Sequence, residues 1–197
     1  MSSQKFIILD RDGVINYDSS EYIKNPNEWK PIPHSIEAIR ILTDNDFNII
    51  VITNQSGINR GIISYKAFTE INIKMLDTIN KAGGTIHSIL YCPHTPDEPS
   101  TMRKPLSGMF TEASSRFNFN LKKTYAIGDS PRDIEAANSA NCIPLAVRTG
   151  NGEQIVKDNK HKVKIFDDLK CIEYFSFTRT RRERYTGRST KVDLDPE

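Results

Sequence analysis

The stretch Phe6-Ile7-Ile8-Leu9-Asp10-Arg11-Asp12-Gly13-Val14-Ile15-Asn16 joins a short apolar run to two acidic residues and a glycine. An apolar run of this length predicts a strand buried on both faces, as in a parallel sheet covered by helices. Asp10 and Asp12 would then lie at the carboxyl end of the strand, where open α/β sheets bind ligands. Two carboxylates so close repel each other, which favours a site around a cation; a solvated loop is the alternative.

The composition is that of an ordinary globular protein. Of 197 residues, 26% are charged and 37% are hydrophobic, which indicates one domain with a sizeable core. The net charge of +2 is too small to indicate nucleic-acid or membrane binding. Three widely spaced cysteines favour reduced thiols, and the first strand follows the start too closely for a signal peptide. We therefore expect a cytoplasmic monomer without a membrane or nucleic-acid partner.

Strands and helices alternate along the chain. After the first strand, further strands are predicted at residues 47–52, 86–91, 124–127, 143–147 and near 163–166. Helices are predicted around residues 36–42, at 64–81, 107–117 and 131–140, and from 167 onwards. Residues 17–33 are polar and predict a loop over the edge of the sheet. The expected fold is α/β: a Rossmann-like three-layer α/β/α sandwich with a mainly parallel sheet.

The last twenty or so residues break this alternation. Basic side chains cluster there with almost no apolar neighbours, and an acidic end follows: Arg179, Arg181, Arg182, Arg184, Arg188 and Lys191, then Asp193-Leu194-Asp195-Pro196-Glu197. We predict a domain over residues 1–177 and a disordered tail over residues 178–197. A nucleic-acid or lipid-binding arm is the alternative, which the acidic end weakens.

Polar groups follow the predicted strands at the positions where the strands end. These residues are Asp10, Asp12, Thr53, Lys104, Asp129 and Asp133. Because the carboxyl ends of parallel strands share one edge of a sheet, we expect these groups to converge. The set offers carboxylates for a hard divalent cation, a hydroxyl and one fixed positive charge. Transfer of a phosphoryl group needs this combination.

The sequence resembles the haloacid dehalogenase (HAD) superfamily of phosphohydrolases over about residues 5–170. Its motifs match the Asp10–Gly13 segment, Thr53, Lys104 and Gly128-Asp129-Ser130-Pro131-Arg132-Asp133. The resemblance implies that Asp10 is a nucleophile that forms an aspartyl-phosphate. Asp12 would protonate the leaving oxygen and then activate water. Thr53 and Lys104 would hold the transferred phosphoryl oxygens.

The same resemblance implies a Mg²⁺ ion. Asp10, Asp129 and the backbone carbonyl of Asp12 would hold it. Ser130 and Asp133 would support the site, with Asp133 orienting Lys104 or water molecules on the metal. A simpler interpretation of Asp133 is an acid in the first turn of a helix, which the helix dipole favours.

The spacing of the motifs leaves no room for a cap domain. Superfamily members with a cap insert it after the first motif or between the second and third. Here the first gap holds a loop and one helix, and the second holds one helix, one strand and a loop. The specificity of such a site must come from its loops.

Within the superfamily the sequence is more similar to the D-glycero-D-manno-heptose-1,7-bisphosphate 7-phosphatases. The resemblance lies in residues 53–61, Cys92-Pro93-His94 and Arg103-Lys104-Pro105. It implies removal of the 7-phosphate of a heptose bisphosphate, in the supply of nucleotide-activated heptose for lipopolysaccharide. Histidinol-phosphate phosphatases and other small sugar-phosphate phosphatases are the alternative.

This closer resemblance also implies a substrate side of the site. Its residues would be Asp18, Thr53, Asn54, Gln55, Ser56, Arg103 and Lys104. Arg103 would recognise the sugar or its second phosphate, a task that suits a forked guanidinium group.

One segment departs from the pattern of that family, which often carries a structural zinc ion. Cys92 and His94 match two of its zinc ligands, but Ser100 and Met102 stand where two further cysteines would be. Two ligands do not complete a tetrahedral zinc site. We therefore predict that this segment binds no zinc, and that Pro96 and Pro99 help to order it by limiting its unfolded freedom.

Overall fold

The computed structural model describes residues 4–158 and 163–172 of the chain. The predicted tail over residues 178–197 lies outside the described residues, as does the end of the predicted domain over residues 1–177. No helix in the described ranges is long and apolar enough to cross a membrane.

The described strands form a six-stranded parallel sheet in the order β3-β2-β1-β4-β5-β6. They are β1 (Lys5–Leu9), β2 (Phe47–Asn54), β3 (Ser88–Cys92), β4 (Tyr125–Gly128), β5 (Ile143–Val147) and β6 (Lys164–Phe166). The helices between them are α1 (Pro33–Asp44), α2 (Tyr65–Lys81), α3 (Gly108–Phe117), α4 (Pro131–Ser139) and α5 (Gly152–Asp158). The α/β fold with a parallel sheet is confirmed.

Side chains of β1 alternate between the two faces of the sheet, as the two-residue period of a strand requires. Ile7 and Leu9 belong to a core cluster that includes buried residues of α1 and α2, among them Ile39 and Ile71. The neighbouring residues of β1, Phe6 and Ile8, pack in a second cluster with α3 and α4, through Met109, Phe110, Ala136 and Ala137. The helices therefore cover both faces and make the predicted three-layer sandwich.

The strand order reverses around β1. This strand pairs with β2 on one side and with β4 on the other, although β4 lies more than a hundred residues later in the chain. In open parallel sheets the crevice for a ligand forms at such a reversal, outside the carboxyl ends of the strands. Asp10 follows β1 at this point, and its backbone N–H donates to the carbonyl oxygen of Ile127 in β4 at 2.9 Å.

The loop between β1 and α1 is held down by Trp29. This side chain is 1% exposed and belongs to the core cluster under α1 and α2. The Lys74 ammonium of α2 donates to the carbonyl oxygens of Pro26 and Trp29 at 2.6 and 3.2 Å. The chain between β1 and β2 consists of this loop and α1, and α2 joins β2 to β3. Within the described ranges neither connection contains a cap domain.

The structure differs from the predicted elements at the end of β2, at the starts of α1 and β3, and at α5. Strand β2 runs on to Asn54, because Thr53 and Asn54 still pair with β3, and β3 begins only at Ser88. Helix α5 was not predicted at all. Its seven residues contribute Ile155 to the core, so the sequence offers no repeated apolar face that would indicate a helix.

Candidate active site

A pocket of about 340 Å³ opens at the carboxyl ends of β1, β2 and β4. Most of the residues predicted from the sequence line it: Asp10, Asp12, Asp18, Thr53, Asn54, Gln55, Ser56, Arg103, Lys104 and Asp129. The parallel sheet thus brings together residues that lie up to 119 positions apart in the chain, from Asp10 to Asp129.

Lys104 lies on the floor of this pocket between two carboxylates. Its Nζ is 2.9 Å from Asp10 Oδ1 and 2.6 Å from Asp133 Oδ1, and it donates to the carbonyl oxygen of Ile52 at 2.9 Å. The lysine side chain is 3% exposed. Burial would lower its pKa, but the two carboxylates outweigh that effect and raise the pKa above its usual value. The lysine therefore remains charged.

Asp10, Asp129 and Asp133 form an acidic cluster around this lysine. Each offers one oxygen, and these oxygens lie within 4.8 Å of one another. Burial, followed by nearby carboxylates, raises the pKa of Asp129 to about 8. Burial also raises the pKa of Asp10 to about 7, although the charge of Lys104 acts in the opposite direction. A hard divalent cation would relieve this repulsion, so the donor set fits Mg²⁺.

Asp129 is enclosed by two glycines and an asparagine. Gly13 and Gly150 have φ angles of 81° and 64°, and a Cβ atom on either would overlap the Asp129 carboxylate. The backbone N–H of Asn151 donates to Asp129 Oδ2 at 2.7 Å, and its side-chain amide donates to the same oxygen at 3.3 Å. That amide also donates to Asp18 Oδ2 at 2.8 Å. Asn151 thus joins the loop of Asp18 to the acidic cluster.

Asp133 has two sets of contacts. Besides its ion pair with Lys104, its Oδ2 accepts hydrogen bonds from the hydroxyl and from the backbone N–H of Ser130, the latter at 3.0 Å. Ser130 precedes α4, and the two residues form a capping box at its start. Asp133 therefore contacts the lysine and also lies in the first turn of α4. The sequence had left these two interpretations as alternatives.

Asp12 differs from the expectation that both carboxylates of the first motif would surround one cation. Its carboxylate is bound by the guanidinium of Arg11, with Nε to Oδ1 and Nη2 to Oδ2 both at 3.0 Å. The amides of Asn16 and Gln55 donate to it at 2.9 and 2.8 Å. Burial would raise its pKa, but Arg11 and these hydrogen bonds hold the pKa below the usual value. Only the backbone carbonyl of Asp12 remains as a candidate metal ligand.

Three neighbouring residues at the carboxyl end of β2, Thr53 to Gln55, connect the pocket to the segment that carries Lys104. The hydroxyl of Thr53 accepts from the Gln55 amide at 3.0 Å. Asn54 makes two hydrogen bonds with the backbone of Lys104, at 2.9 and 3.1 Å. The N–H of Gln55 donates to the carbonyl oxygen of Cys92 at 2.7 Å. Asn54 therefore positions Lys104, a role not predicted from the sequence.

Besides Arg11, three further arginines line the pocket: Arg60, Arg103 and Arg132. Arg103 donates from Nη1 to the carbonyl oxygen of His94 at 2.9 Å. Its pKa is lowered, first by partial burial and then by the charges of Arg132 and Arg60. Guanidinium groups that oppose one another in this way are stabilised by an anion.

The segment that resembles a zinc loop is held by weaker contacts. Cys92 Sγ lies 3.4 Å from His94 Nδ1 and 3.8 Å from Ser100 Oγ, and Met102 is 38% exposed. The cysteine, the histidine and the serine are therefore neighbours in space. The absence of zinc stays a prediction.

The sequence analysis missed four residues of this site: Arg11, Arg60, Arg132 and Asn151. Two of them stand inside quoted motifs, where Arg11 separates the two acids and Arg132 follows Pro131. Asn151 directly follows Gly150, beyond the end of β5, and this position after a strand was the only feature of the sequence that could have indicated a site residue there. Its contacts with Asp129 and Asp18 join parts of the chain that are 22 and 133 residues away.

Comparison with known proteins gives consistent similarities. A family model described as HAD-hyrolase-like matches residues 101–171. The chain is 43% identical over 150 residues to a D-glycero-beta-D-manno-heptose-1,7-bisphosphate 7-phosphatase of Bordetella bronchiseptica, covering 76% of this chain and 84% of that protein. It is 40% identical over 171 residues to the protein of the same name from Pseudomonas aeruginosa, covering 86% of this chain and 96% of the other.

The solved structures show the same similarity. The crystal structure of D,D-heptose 1,7-bisphosphate phosphatase from B. bronchiseptica, complexed with magnesium and phosphate, superposes with a TM-score of 0.87 at 38% identity. The match covers 89% of this chain and 99% of that one.

Proposed function

The chain belongs to the D-glycero-D-manno-heptose-1,7-bisphosphate 7-phosphatase family of HAD phosphatases, and from this premise we propose that it removes the 7-phosphate of that sugar. The reaction would be Mg²⁺-dependent and would release heptose 1-phosphate, a precursor of nucleotide-activated heptose for lipopolysaccharide. The observation that carries the proposal is one pocket with a buried acid–lysine floor and, along its lining, the group of Arg60, Arg103 and Arg132. A floor of this kind suits phosphoryl transfer, and the arginines suit a second phosphate.

In the proposed mechanism Asp10 is the nucleophile. Its Oδ1 accepts from the Arg11 backbone N–H at 2.7 Å and is paired with Lys104 at 2.9 Å, so the carboxylate is held in one orientation. It attacks the phosphorus of the 7-phosphate, and the bond from phosphorus to the sugar oxygen breaks. Lys104 and Thr53 bind the equatorial oxygens, where negative charge is spread in the transition state.

Asp12 would transfer protons in both steps. It first gives a proton to the departing sugar oxygen; it then takes one from the water molecule that attacks the aspartyl-phosphate. The charge of Arg11 favours the carboxylate form, which the second step needs. A phosphate dianion that enters the pocket raises the pKa of Asp12 again, because like charges repel, and so favours the protonated form for the first step.

The residues that would hold Mg²⁺ are Asp10, Asp129 and the backbone carbonyl of Asp12. When bound, the ion would neutralise charge between the attacking carboxylate and the anionic phosphate. Asn151 occupies Oδ2 of Asp129 and so fixes the orientation of this ligand. Asp133 has both oxygens engaged by Lys104 and Ser130, so it would position the lysine.

The arginines support a bisphosphate over histidinol phosphate. Arg103, Arg60 and Arg132 together would bind a phosphate that is not transferred, because forked guanidinium groups match phosphate geometry. Histidinol carries an ammonium group in place of that phosphate, and three arginines would repel it.

The decisive experiment measures phosphate release, with and without Mg²⁺, from heptose 1,7-bisphosphate and histidinol phosphate in parallel. We expect activity only with Mg²⁺ and a preference for the bisphosphate of about a hundredfold, or roughly 3 kcal/mol of transition-state binding. Similar slow rates on both substrates would leave the phosphatase chemistry in place and refute the heptose substrate.

A further inference from the structure

Arg103 is held in the pocket by a backbone carbonyl. Its guanidinium donates to the carbonyl oxygen of His94, against the repulsion of Arg60 and Arg132. A carbonyl on a loop fixes a guanidinium only if the loop itself is fixed. The position of Arg103 therefore depends on what orders the segment from Pro93 to Met102, which the structure shows as turns without helix or strand.

Both ends of this segment are attached to the sheet. At its start the carbonyl oxygen of Cys92 accepts from the Gln55 N–H at 2.7 Å, and at its end Asn54 binds the backbone of Lys104. These contacts fix the flanks. They do not reach the middle of the segment, where Thr95 to Glu98 form a turn.

Glu98 makes the contacts in the middle. Its carboxylate accepts from the Thr95 N–H at 2.5 Å, and the Glu98 N–H donates back to the Thr95 carbonyl oxygen at 3.2 Å. Across the pocket edge, the amide of Asn59 donates to both oxygens of Glu98, at 3.0 and 3.2 Å. Hydrogen bonds of this type favour the charged carboxylate, and those from Thr95 and Asn59 lower the pKa of Glu98.

Asn59, the partner of Glu98, is next to a pocket arginine in the chain. Asn59 precedes Arg60, so the contact between Glu98 and Asn59 joins the segment that carries one pocket arginine to the segment whose carbonyl holds another. This contact thus links the two segments in the middle, where the attachments at the flanks do not reach.

We propose that Glu98, through its contact with Asn59, is a positioning residue that sets Arg103 and Arg60 for the phosphate that is not transferred. The proposal rests on the proposed function, since it assumes a substrate with two phosphates. In this proposal, the hydrogen bonds between Glu98 and Asn59 order the segment from Pro93 to Met102. That segment lacks two of the four ligands of a zinc site.

The test compares the full chain with its E98A and N59A variants on heptose 1,7-bisphosphate and on para-nitrophenyl phosphate, both with Mg²⁺. We expect KM for the bisphosphate to rise about tenfold in both variants, with a smaller change in kcat. The ratio of the two kcat/KM values should fall about tenfold, which corresponds to about 1.4 kcal/mol. Asp97→Ala, which removes the neighbouring exposed acid, is the matched control and should keep the wild-type ratio.

A rescue experiment separates positioning from a general loss of structure. The double variant E98Q/N59D reverses the donor and the acceptor, since the new amide donates to the new carboxylate while its oxygen still accepts from Thr95. We expect it to restore most of the preference for the bisphosphate. If E98A does not fold, N59A and the double variant carry the test, because both keep an acceptor for Thr95.

Three results would overturn the proposal. One is an unchanged ratio in E98A and N59A; another is an equal loss on both substrates with no rescue by the double variant. A wild-type chain that does not prefer the bisphosphate over para-nitrophenyl phosphate would refute the proposed function itself, and this inference with it. The wild-type measurement therefore distinguishes the two failures.

Discussion

The floor and the arginine side of the pocket are built in opposite ways. On the floor, Asp10, Asp129 and Asp133 follow strands or begin a helix, and Lys104 is 3% exposed between two of them. On the other side, Arg60 and Arg132 are exposed, and Arg103 is held by a loop carbonyl. Charges of opposite sign meet on the floor, while charges of one sign meet among the arginines.

This contrast agrees with the proposed division of the pocket, in which the floor carries out the reaction and the arginines recognise the second phosphate. The floor is already neutralised in part by its own lysine, through the ion pairs of Lys104 with Asp10 and Asp133. Among the described residues, no carboxylate forms an ion pair with Arg60, Arg103 or Arg132. A bound phosphate would therefore relieve the repulsion between these three arginines. Damage to the floor should therefore affect every substrate, and damage to the arginines should affect only substrates with a second anion.

The largest effect should come from replacing Asp10, the proposed nucleophile. Asp10→Asn is expected to lower turnover of all phosphomonoesters by at least about a thousandfold, because it removes the attacking carboxylate and a candidate metal ligand together. Phosphate release and circular dichroism would measure activity and folding. Asp97→Asn, an exposed change of the same type, is the control, and substantial activity in folded Asp10→Asn would contradict the assignment.

A smaller and selective effect is expected on the arginine side. Arg103→Ala should lower kcat/KM for the bisphosphate by about ten- to a hundredfold, and that for an aryl phosphate by much less. Steady-state kinetics on both substrates gives the ratio. Arg148→Ala, at an exposed arginine paired with Glu153, is the matched control. Equal losses on the two substrates would place Arg103 at the transferred phosphoryl group instead.

The floor should also make stability depend on pH and Mg²⁺. The pKa values of Asp10 and Asp129 are raised to about 7 and about 8 in the ion-free fold, above those of unfolded aspartates. Between about pH 4 and pH 8, folding without Mg²⁺ therefore takes up protons. The free energy of unfolding of the Mg²⁺-free protein then falls as the pH rises, by up to about 1.4 kcal/mol per pH unit for each proton taken up. The increase in Tm caused by Mg²⁺ should accordingly be larger at pH 8 than at pH 6.

Thermal unfolding in Mg²⁺ and in EDTA at the two pH values measures this difference. Asp129→Asn should reduce it, since it removes one of the titrating carboxyls, whereas Arg103→Ala should leave it in place. A shift in Tm that is larger at pH 6 would contradict the prediction.

The smallest effect, essentially none, is expected from treatment with a zinc chelator. With Ser100 and Met102 in place of two cysteines, we expect purified protein to contain much less than one zinc ion per chain by elemental analysis. A zinc-selective chelator should leave the preference for the bisphosphate as it was. One bound zinc per chain would contradict this, and would mean that the arginine side is ordered by a metal rather than by hydrogen bonds.

The sequence predicted the floor better than the arginine side for a physical reason. Buried strands have continuous apolar runs, and acids at their ends stand out against them, so the meeting of Asp10 and Asp129 at one edge of a parallel sheet could be inferred from the pattern, although the order of the strands was not predicted. The ion pair of Arg11 with Asp12, by contrast, depends on which way one side chain turns. The contacts of Asn151 and Glu98 join loops whose mutual positions exist only after folding, and α5 has too few buried residues to produce a periodic signal.

The position of β1 between β2 and β4 has a consequence for synthesis on the ribosome. When residues 4–92 have emerged, β1, β2 and β3 are all present, but the edge of β1 that pairs with β4 still has no partner. The nascent chain then exposes the backbone of an apolar strand and carries Asp10 without its lysine. Pairing with β4 covers that edge and, in the same event, brings Asp129, which directly follows β4, into the acidic cluster beside Asp10.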